Sequence, residues 1–124
     1  MSGFTVHIVD DEPLITNMIK YNLNKNGVEY VKIFSSGNEY LQLEKSTPDL
    51  LILDYQLDDM NGLDLLKRIK KSSPTANIII LSGEESSEIS KKCRDCGALD
   101  FIVKSTKAVD QILQRIKALI RFRE

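Results

Sequence analysis

The fold is most readily inferred from the segment Leu50-Leu51-Ile52-Leu53-Asp54-Tyr55-Gln56. Four aliphatic residues run without a polar break, and an aspartate follows them directly. Turn-forming residues bound the run, with Pro48-Asp49 before it and Asn61-Gly62 after it, so it predicts a short strand buried on both faces. Such strands belong to parallel sheets covered by helices, and ligands bind beyond their carboxyl ends. Asp54 is therefore placed for function, although an acid can also end a strand for solubility alone.

The composition is that of a soluble globular domain. The chain has 124 residues, of which 42% are hydrophobic and 28% charged, and this length and mixture are typical of one domain. A formal net charge of −1 argues against general attraction to nucleic acid or membranes. No apolar run reaches the length of a membrane span, and the first 15 residues contain acids where a signal peptide has none. We therefore expect a cytoplasmic protein.

Apolar runs with polar ends recur along the chain and alternate with helical patterns. Pro13 follows three acids, and both features favour the start of a helix. Glycine and proline separate the later units. The predicted strands are residues 4–9, 30–34, 50–53, 77–81 and 99–103, and one helix follows each strand, the fourth at 85–96 and the fifth at 106–121.

Five strands alternating with five helices predict an α/β fold, a three-layer doubly wound (βα)5 domain with right-handed crossovers. The first, third and fourth strands are the most apolar and should be central in the sheet. The second strand, which contains Lys32, and the fifth suit the edges. The expected order of the parallel strands is 2-1-3-4-5.

In such a sheet the carboxyl ends of four strands bring Asp10-Asp11, Asp54, Ser82 and Lys104 to one edge. Each has an ordinary explanation by itself: the first acids can favour a helix N-terminus, Ser82 can be a turn hydroxyl and Lys104 a solvated charge. The joint pattern is specific, because every central strand ends in a group suited to phosphoryl chemistry.

Three carboxylates in one crevice repel each other by about 4 kcal/mol per pair at 4 Å and an effective dielectric constant near 20. The cluster needs a cation, or one acid must stay protonated. Oxygen ligands with room for water suit Mg²⁺. An aspartate can itself accept a phosphoryl group as a nucleophile, while metal and ammonium neutralise the transferring oxygens.

This pattern resembles the receiver domain of two-component response regulators, a flavodoxin-like family, over the whole chain. The resemblance rests on motifs at the ends of the strands. They are Val9-Asp10-Asp11-Glu12-Pro13, Asp54, Met60-x-Gly62, Ser82-Gly83, Gly97-Ala98-x-Asp100-Phe101 and Lys104.

The resemblance implies that Asp54 is the phosphorylated nucleophile. It further implies that Asp11 and Asp54 ligate Mg²⁺ (or Mn²⁺) directly together with the backbone carbonyl of Gln56, whereas Asp10 acts mostly through water.

The remaining site residues are also implied by the resemblance. Lys104 would contact the phosphoryl group as a point charge. Ser82 would hydrogen-bond the group and swing inward, and Phe101 would change rotamer to fill the vacated space, so that the pair forms a two-state element.

As a whole the resemblance implies a single receiver domain with no output domain on this chain. It would be a phosphorelay switch and no enzyme beyond its own phosphorylation and dephosphorylation. The donor would be a sensor histidine kinase or a histidine phosphotransfer protein. A downstream protein or separate output domain would bind the face of helix 4, strand 5 and helix 5, with a phosphorylation-dependent homodimer as another option and no direct contact to nucleic acid or membrane.

Two positions depart from the family pattern. Asp58 replaces the usual proline in the loop after Asp54, so we expect a less stiff loop in which Asp58 and Asp59 add negative charge. Ser105 replaces the proline that usually follows the lysine. Because a cis bond before serine costs about 3–4 kcal/mol, we expect a trans bond between Lys104 and Ser105, with Ser105 as a candidate N-cap of the last helix.

Cysteine chemistry is the less favoured explanation of Cys93-x-x-Cys96. The pair sits late in a predicted helix, whereas thioredoxin-like motifs open one, so packing is expected and redox sensing is the alternative. Zinc is disfavoured because only His7, a predicted packed strand residue, could join the cysteines.

Two other functions share parts of the pattern. A dehalogenase-like phosphatase would need a second acid where Gln56 stands. A flavodoxin-like FMN carrier would need a phosphate cradle where the first loop has acids. Incubation with a small phospho-donor separates the three functions. A receiver domain is labelled stoichiometrically, a phosphatase turns the donor over steadily, and an FMN carrier does neither.

Overall fold

Five strands alternate with five helices in the computed structural model, which describes residues 3–43 and 46–123. These elements confirm the predicted alternation. The strands are β1 (Thr5–Val9), β2 (Tyr30–Phe34), β3 (Leu50–Asp54), β4 (Ile78–Ser82) and β5 (Asp100–Val103); the helices are α1 (Pro13–Lys25), α2 (Gly37–Leu43), α3 (Gly62–Ser72), α4 (Ser87–Asp95) and α5 (Ala108–Arg123).

The strands form one parallel sheet in the order β2-β1-β3-β4-β5, as predicted. Val9 pairs with Leu53, and Ser82 pairs with Val103. The residues that follow these pairs, Asp10 and Asp54 on one side and Lys104 on the other, consequently emerge at the same edge. The register of the sheet, and not the loops, brings the polar ends together.

Both faces of the sheet are covered, which explains the unbroken apolar runs. Every residue of β3 and of β4 is buried. One face packs against α1 and α5, and Ile52, Ile19 and Ile112 belong to the same apolar cluster. The other face packs against α2, α3 and α4, with Leu53 and Leu66 in the cluster. Each fully buried aliphatic side chain contributes about 1.5–3 kcal/mol to stability.

The ends of two helices differ from the prediction. Helix α4 begins at Ser87, because the Ser86 side chain accepts the N–H of Ile89 at 3.2 Å and so caps the helix. Helix α5 begins at Ala108, and the prediction of Ser105 as its N-cap is wrong. The Ser105 hydroxyl accepts the N–H of Lys107 at 3.2 Å, in a turn that precedes the helix.

At the amino-terminal end of the sheet, side-chain hydrogen bonds join neighbouring strands. Asp49 Oδ2 accepts the backbone N–H of Thr5 at 2.8 Å and its hydroxyl at 3.1 Å. Asn77 Nδ2 donates to the carbonyl of Asp49 at 3.1 Å. These bonds join the starts of β1, β3 and β4, so the register of the three central strands is held at this end. None of the described helices has the length and apolar character needed to cross a membrane.

The cysteines and the histidine have packing environments. Cys93 is fully buried, and burial, together with the neighbouring Cys96, raises the pKa of its thiol. A buried thiol of this kind is a poor nucleophile, which supports packing; redox sensing stays untested. His7 is buried between Phe34 and Tyr40, and its Nδ1 lies 3.0 Å from the Tyr40 hydroxyl.

Candidate functional site

Four carboxylates meet at the polar edge of the sheet, as predicted for three of them. One oxygen each of Asp10, Asp11, Glu12 and Asp54 lies within 4.8 Å of the others. Asp10 and Asp54 are almost fully buried, 2% and 3% exposed, whereas Glu12 is exposed. The backbone N–H of Asp10 donates to the carbonyl of Phe34 at 3.0 Å, which holds the first acidic loop against the end of β2.

Lys104 lies among these acids. Its Nζ is 3.2 Å from Asp10 Oδ2, 2.7 Å from Glu12 Oε1 and 3.3 Å from Asp54 Oδ2. Burial lowers the pKa of the ammonium, but the hydrogen bond to Glu12 and the charges of Asp10 and Asp54 outweigh burial and raise that pKa. Lys104 therefore carries a fixed positive charge.

The bond between Lys104 and Ser105 is trans, as predicted; no peptide bond among the described residues is cis. The long side chain reaches the acids from this backbone, and the backbone N–H of Lys104 donates to the carbonyl of Ser82 at 2.8 Å. Sequence reasoning missed the pairing with Glu12. Glu12 directly follows the two aspartates in the sequence, but this adjacency does not identify Lys104 as its partner.

Asp54 has a perturbed carboxyl group. Its burial, and then the charge of Asp10, raise the pKa from 3.8 to about 6, although Lys104 and the backbone N–H of Gln56 act in the opposite direction. Lys104 alone therefore does not balance the charge of the cluster. A further cation would favour the ionised form of Asp54, which is the nucleophilic form.

The donor set fits a hard divalent cation. Among the described residues, the buried Asp10 Oδ2 has only the ion-pair contact with Lys104 Nζ at 3.2 Å, which is not a well-aligned hydrogen bond. An acceptor left in this way is costly unless an ion or water satisfies it. Gln56 is exposed beside Asp54, and the loop hydrogen bonds from Leu57 to Met60 and from Gly62 to Tyr55 do not use its carbonyl. Its role as a metal ligand stays a prediction.

The structure does not bring the side chains of Ser82 and Phe101 into contact with the acids. Ser82 is buried, and its hydroxyl donates to the carbonyl of Glu84 at 2.9 Å and accepts the N–H of Glu84 at 3.2 Å. Phe101 is half-buried and packs on the apolar cluster that contains α4. It also lines a cavity of about 520 Å³ on the surface of β5 and α5.

The two acids of the β3–α3 loop lie in different places. Asp58 is exposed, and a hydrogen bond with Asp11 and the charge of Asp11 raise its pKa. It therefore lies beside Asp11, and the prediction that it adds negative charge to the site stays a prediction. Asp59 instead bonds to the start of α2: its Oδ1 accepts the N–H of Gly37 at 3.1 Å and its Oδ2 that of Asn38 at 2.7 Å. Sequence reasoning did not foresee this contact.

Gly62 is required by the close packing of α3 against the end of β3. A Cβ at this position would lie 2.5 Å from the carbonyl oxygen of Asp54 and 2.8 Å from the Cα of Tyr55. The N–H of Gly62 donates to the carbonyl of Tyr55 at 2.6 Å. Asn61 caps the helix by accepting the N–H of Asp64 at 2.8 Å. The glycine of the Met60-x-Gly62 motif thus lets α3 begin directly beside the carboxyl end of β3.

Comparisons with known proteins agree with this geometry. The sequence pattern named "Response regulator receiver domain" matches residues 6–117. The chain is 30% identical over 118 residues to the phosphate regulon transcriptional regulatory protein PhoB of Rhizobium meliloti, covering 94% of this chain and 52% of the relative. It is 31% identical over 121 residues to the transcriptional regulatory protein TrcR of Mycobacterium tuberculosis, covering 97% and 46%.

Solved structures give the same result. The BeF3-activated receiver domain of DrrB has a TM-score of 0.85 at 25% identity, over 95% of this chain and 97% of that chain. A CheY-like receiver domain protein from Methanospirillum hungatei JF-1 has a TM-score of 0.83 at 28% identity, over 95% and 94%.

The chain belongs to the response regulator receiver domain family of two-component systems. Phosphorylation-dependent switching is the general function of this family, and its members generally bind Mg²⁺ and interact with histidine kinases and output domains. A beryllofluoride-activated NtrC4 receiver domain, similar to this chain in structure, is a dimer. The chain spans about half the length of the curated relatives above. Membership of this family argues against the dehalogenase-like and flavodoxin-like families as the origin of the pattern.

Proposed function

We propose that this chain is a phospho-accepting switch that takes a phosphoryl group onto Asp54 from the phosphohistidine of a sensor kinase or a histidine phosphotransfer protein, in the cytoplasm. The observation that carries the proposal is the placement of Asp54. Its carboxylate ends a fully buried central strand, lies within 4.8 Å of three other acids and pairs with Lys104 at 3.3 Å. No other carboxylate of the cluster combines such burial with a position on β3.

The transfer follows from these contacts. A carboxylate oxygen of Asp54 attacks phosphorus, the bond from phosphorus to the imidazole nitrogen breaks, and the imidazole leaves with its electron pair and takes up a proton. Lys104 stays protonated and donates to an oxygen of the phosphoryl group once that group is on Asp54. Asp11, Asp54 and the carbonyl of Gln56 would hold Mg²⁺ (or Mn²⁺), with Asp10 acting through water. The metal, when bound, would supply positive charge to the phosphoryl oxygens.

The phospho-donor needs a surface beside this cluster, and α1 offers one. Leu14, Met18 and Tyr21 are 83%, 44% and 66% exposed. Their spacing of four and three residues places them along one side of the helix. Helix α1 begins at Pro13, directly after the acidic loop. An exposed apolar stripe at the mouth of the site suits a helical partner protein that brings its phosphohistidine to Asp54.

The output would use the face of α4, β5 and α5. Asp100 of β5 joins the three elements, because it pairs with Arg94 of α4 at 3.2 Å and with Arg115 of α5 at 2.9 Å. Phe101 follows on the same strand. In the proposed switch, Ser82 leaves Glu84 for the phosphoryl group and Phe101 moves into the vacated space. This face would bind a downstream protein, an output domain or a second copy of the chain, and no nucleic acid.

Labelling with acetyl phosphate and Mg²⁺ tests the proposal. The native chain should gain one acid-stable, base-labile phosphoryl group, Asp54→Ala should gain none, and the exposed control Asp110→Ala should be labelled like the native chain. Sustained release of phosphate in excess of the protein would indicate an enzyme instead. Full labelling of Asp54→Ala, or no labelling of the native chain, would refute the assignment.

A further inference from the structure

The loop after the acceptor strand is tied to a helix far from it in sequence. Asp59 accepts two backbone N–H groups of the first turn of α2, from Gly37 at 3.1 Å and from Asn38 at 2.7 Å, across 22 and 21 residues of sequence. Partial burial raises the pKa of Asp59, but the hydrogen bonds from Asn38 and Gly37 outweigh it, and the pKa is lowered. The carboxylate is therefore ionised at neutral pH, and hydrogen bonds to an ionised acceptor are the strong kind.

Met60 makes a second contact between the same two segments. A Cβ on Gly37 would lie 2.7 Å from Met60 Sδ and 2.9 Å from Met60 Cγ, so the thioether fills the space that the glycine leaves. Met60 also packs on the apolar cluster that includes Phe34 and Tyr40. The loop is thus held to α2 by a charged contact on one residue and an apolar contact on the next.

The connection between β2 and α2 also holds the other acidic loop. The carbonyl of Phe34, the last residue of β2, accepts the N–H of Asp10. Tyr40 of α2 bonds to His7 of β1, three residues before Asp10. Residues 34–38 therefore contact both loops that bring carboxylates to the site. One loop carries Asp10 and Asp11, and the other follows Asp54 directly.

We propose that Asp59 is a positioning residue of the metal site: by fastening the β3–α3 loop to the same segment that holds the Asp10 loop, it fixes the Gln56 carbonyl and the Asp54 carboxylate relative to Asp11. The inference rests on the proposed function. The proposal also accounts for the stiffness of the β3–α3 loop. Asp58 lacks the fixed φ that a proline would supply there. The two bonds of Asp59 restrain the loop from outside.

The test compares Asp59→Ala, which loses both acceptors, with Asp59→Asn, which keeps one carbonyl acceptor. Mn²⁺ is the probe, and paramagnetic resonance of the free ion gives the Kd. Partners that orient metal ligands typically change metal affinity by 10–100-fold, so we expect the Kd of Asp59→Ala to rise about tenfold. Asp59→Asn should recover part of this loss. At saturating metal, the rate of labelling by acetyl phosphate should fall less than the rate at limiting metal.

Ser86→Ala is the matched control. It removes a side chain that accepts a backbone N–H at the start of α4 and leaves both acidic loops untouched. We expect it to lower stability without changing the Kd for Mn²⁺. If Asp59→Ala binds Mn²⁺ with the native Kd, or if Ser86→Ala raises the Kd as much for the same loss of stability, the proposal is overturned.

Two further outcomes are also decisive. Should Asp59→Ala fail to fold, Asp59→Asn decides alone, with a raised Kd in favour and an unchanged Kd against the proposal. Should the native chain be neither labelled nor able to bind Mn²⁺, the proposed function itself fails. Failure of the Asp59 proposal alone gives a different result: the native chain is labelled and binds Mn²⁺, and the Asp59 variants bind Mn²⁺ with the same Kd.

Discussion

The raised pKa of Asp54 predicts that Asp54→Asn stabilises the metal-free protein. The native carboxyl has a pKa of about 6 in the folded chain against an ordinary 3.8, and each pKa unit corresponds to about 1.4 kcal/mol. Ionising Asp54 in the folded state therefore costs about 3 kcal/mol. Because Asp54→Asn also removes a partner of Lys104, we expect a gain of about 1–3 kcal/mol in the free energy of unfolding at pH 7.5.

The pH dependence has a definite sign. Between pH 3.8 and about 6 the folded chain binds more protons at this site than the unfolded chain does. The stability contributed by protonated Asp54 is complete below that window and is lost as the pH rises through it. The difference in stability between Asp54→Asn and the native chain should therefore grow from pH 4 to pH 7 and then stay constant.

Denaturant unfolding in EDTA, at intervals from pH 4 to pH 8, measures this difference. Asp110→Asn, an exposed aspartate in α5, is the control for charge removal alone and should run parallel to the native chain. Adding Mg²⁺ should reduce or reverse the advantage of Asp54→Asn, because a cation favours the carboxylate. A difference that is independent of pH, or an Asp54→Asn variant less stable at every pH, would refute the reasoning.

Three further predictions concern the same edge of the sheet. Mg²⁺ at a hundredfold its Kd should raise the free energy of unfolding by about 2.7 kcal/mol, and Asp11→Asn should lose most of that gain; a melting temperature unaffected by millimolar Mg²⁺ in the native chain would contradict the site. Gly62→Ala should cost about 1–3 kcal/mol in denaturant unfolding because its Cβ meets the Asp54 backbone, whereas Gly83→Ala, with open space around it, should cost less; equal costs would exclude the clash. Lys104→Ala should leave labelling largely intact but uncouple the phosphoryl group from Phe101. NMR shifts of the Phe101 ring, with and without beryllofluoride, measure this coupling in the native and variant proteins. Identical shifts in both proteins would count against the coupling.

The sequence was most informative where one signal determines one structural property. The unbroken apolar run before Asp54 leaves no polar face for solvent, so it predicts burial on both faces and a central position for β3. The meeting of Asp10, Asp54 and Lys104 followed, because strand ends in a parallel sheet share an edge. No contact between these residues had to be foreseen for this result.

The sequence was least informative where a side chain chooses among several partners. Glu12 and Lys104 are 92 residues apart, and a long flexible ammonium side chain leaves no periodic signal for its partner. Asp59 bonds to the start of α2, 22 and 21 residues away in sequence, and local sequence does not encode a contact over that separation. Ser105 and Ser86 have the same hydroxyl group, but of the two only Ser86 caps a helix, because α4 begins directly after Ser86 whereas α5 begins three residues after Ser105.

The two hydrogen bonds between the Ser82 hydroxyl and the backbone of Glu84 bear on how much of the unphosphorylated protein would adopt the active arrangement. Hydrogen bonds of this kind contribute about 0.5–1.5 kcal/mol each, so in the proposed switch an inward-facing Ser82 would cost about 1–3 kcal/mol without a phosphoryl group to accept its hydrogen bond. Such a gap corresponds to a resting population on the order of 1–10% in the inward arrangement. A two-residue turn would in this way set the background activity of the proposed switch, and mutations at Glu84 that change its backbone would alter that background without touching Asp54.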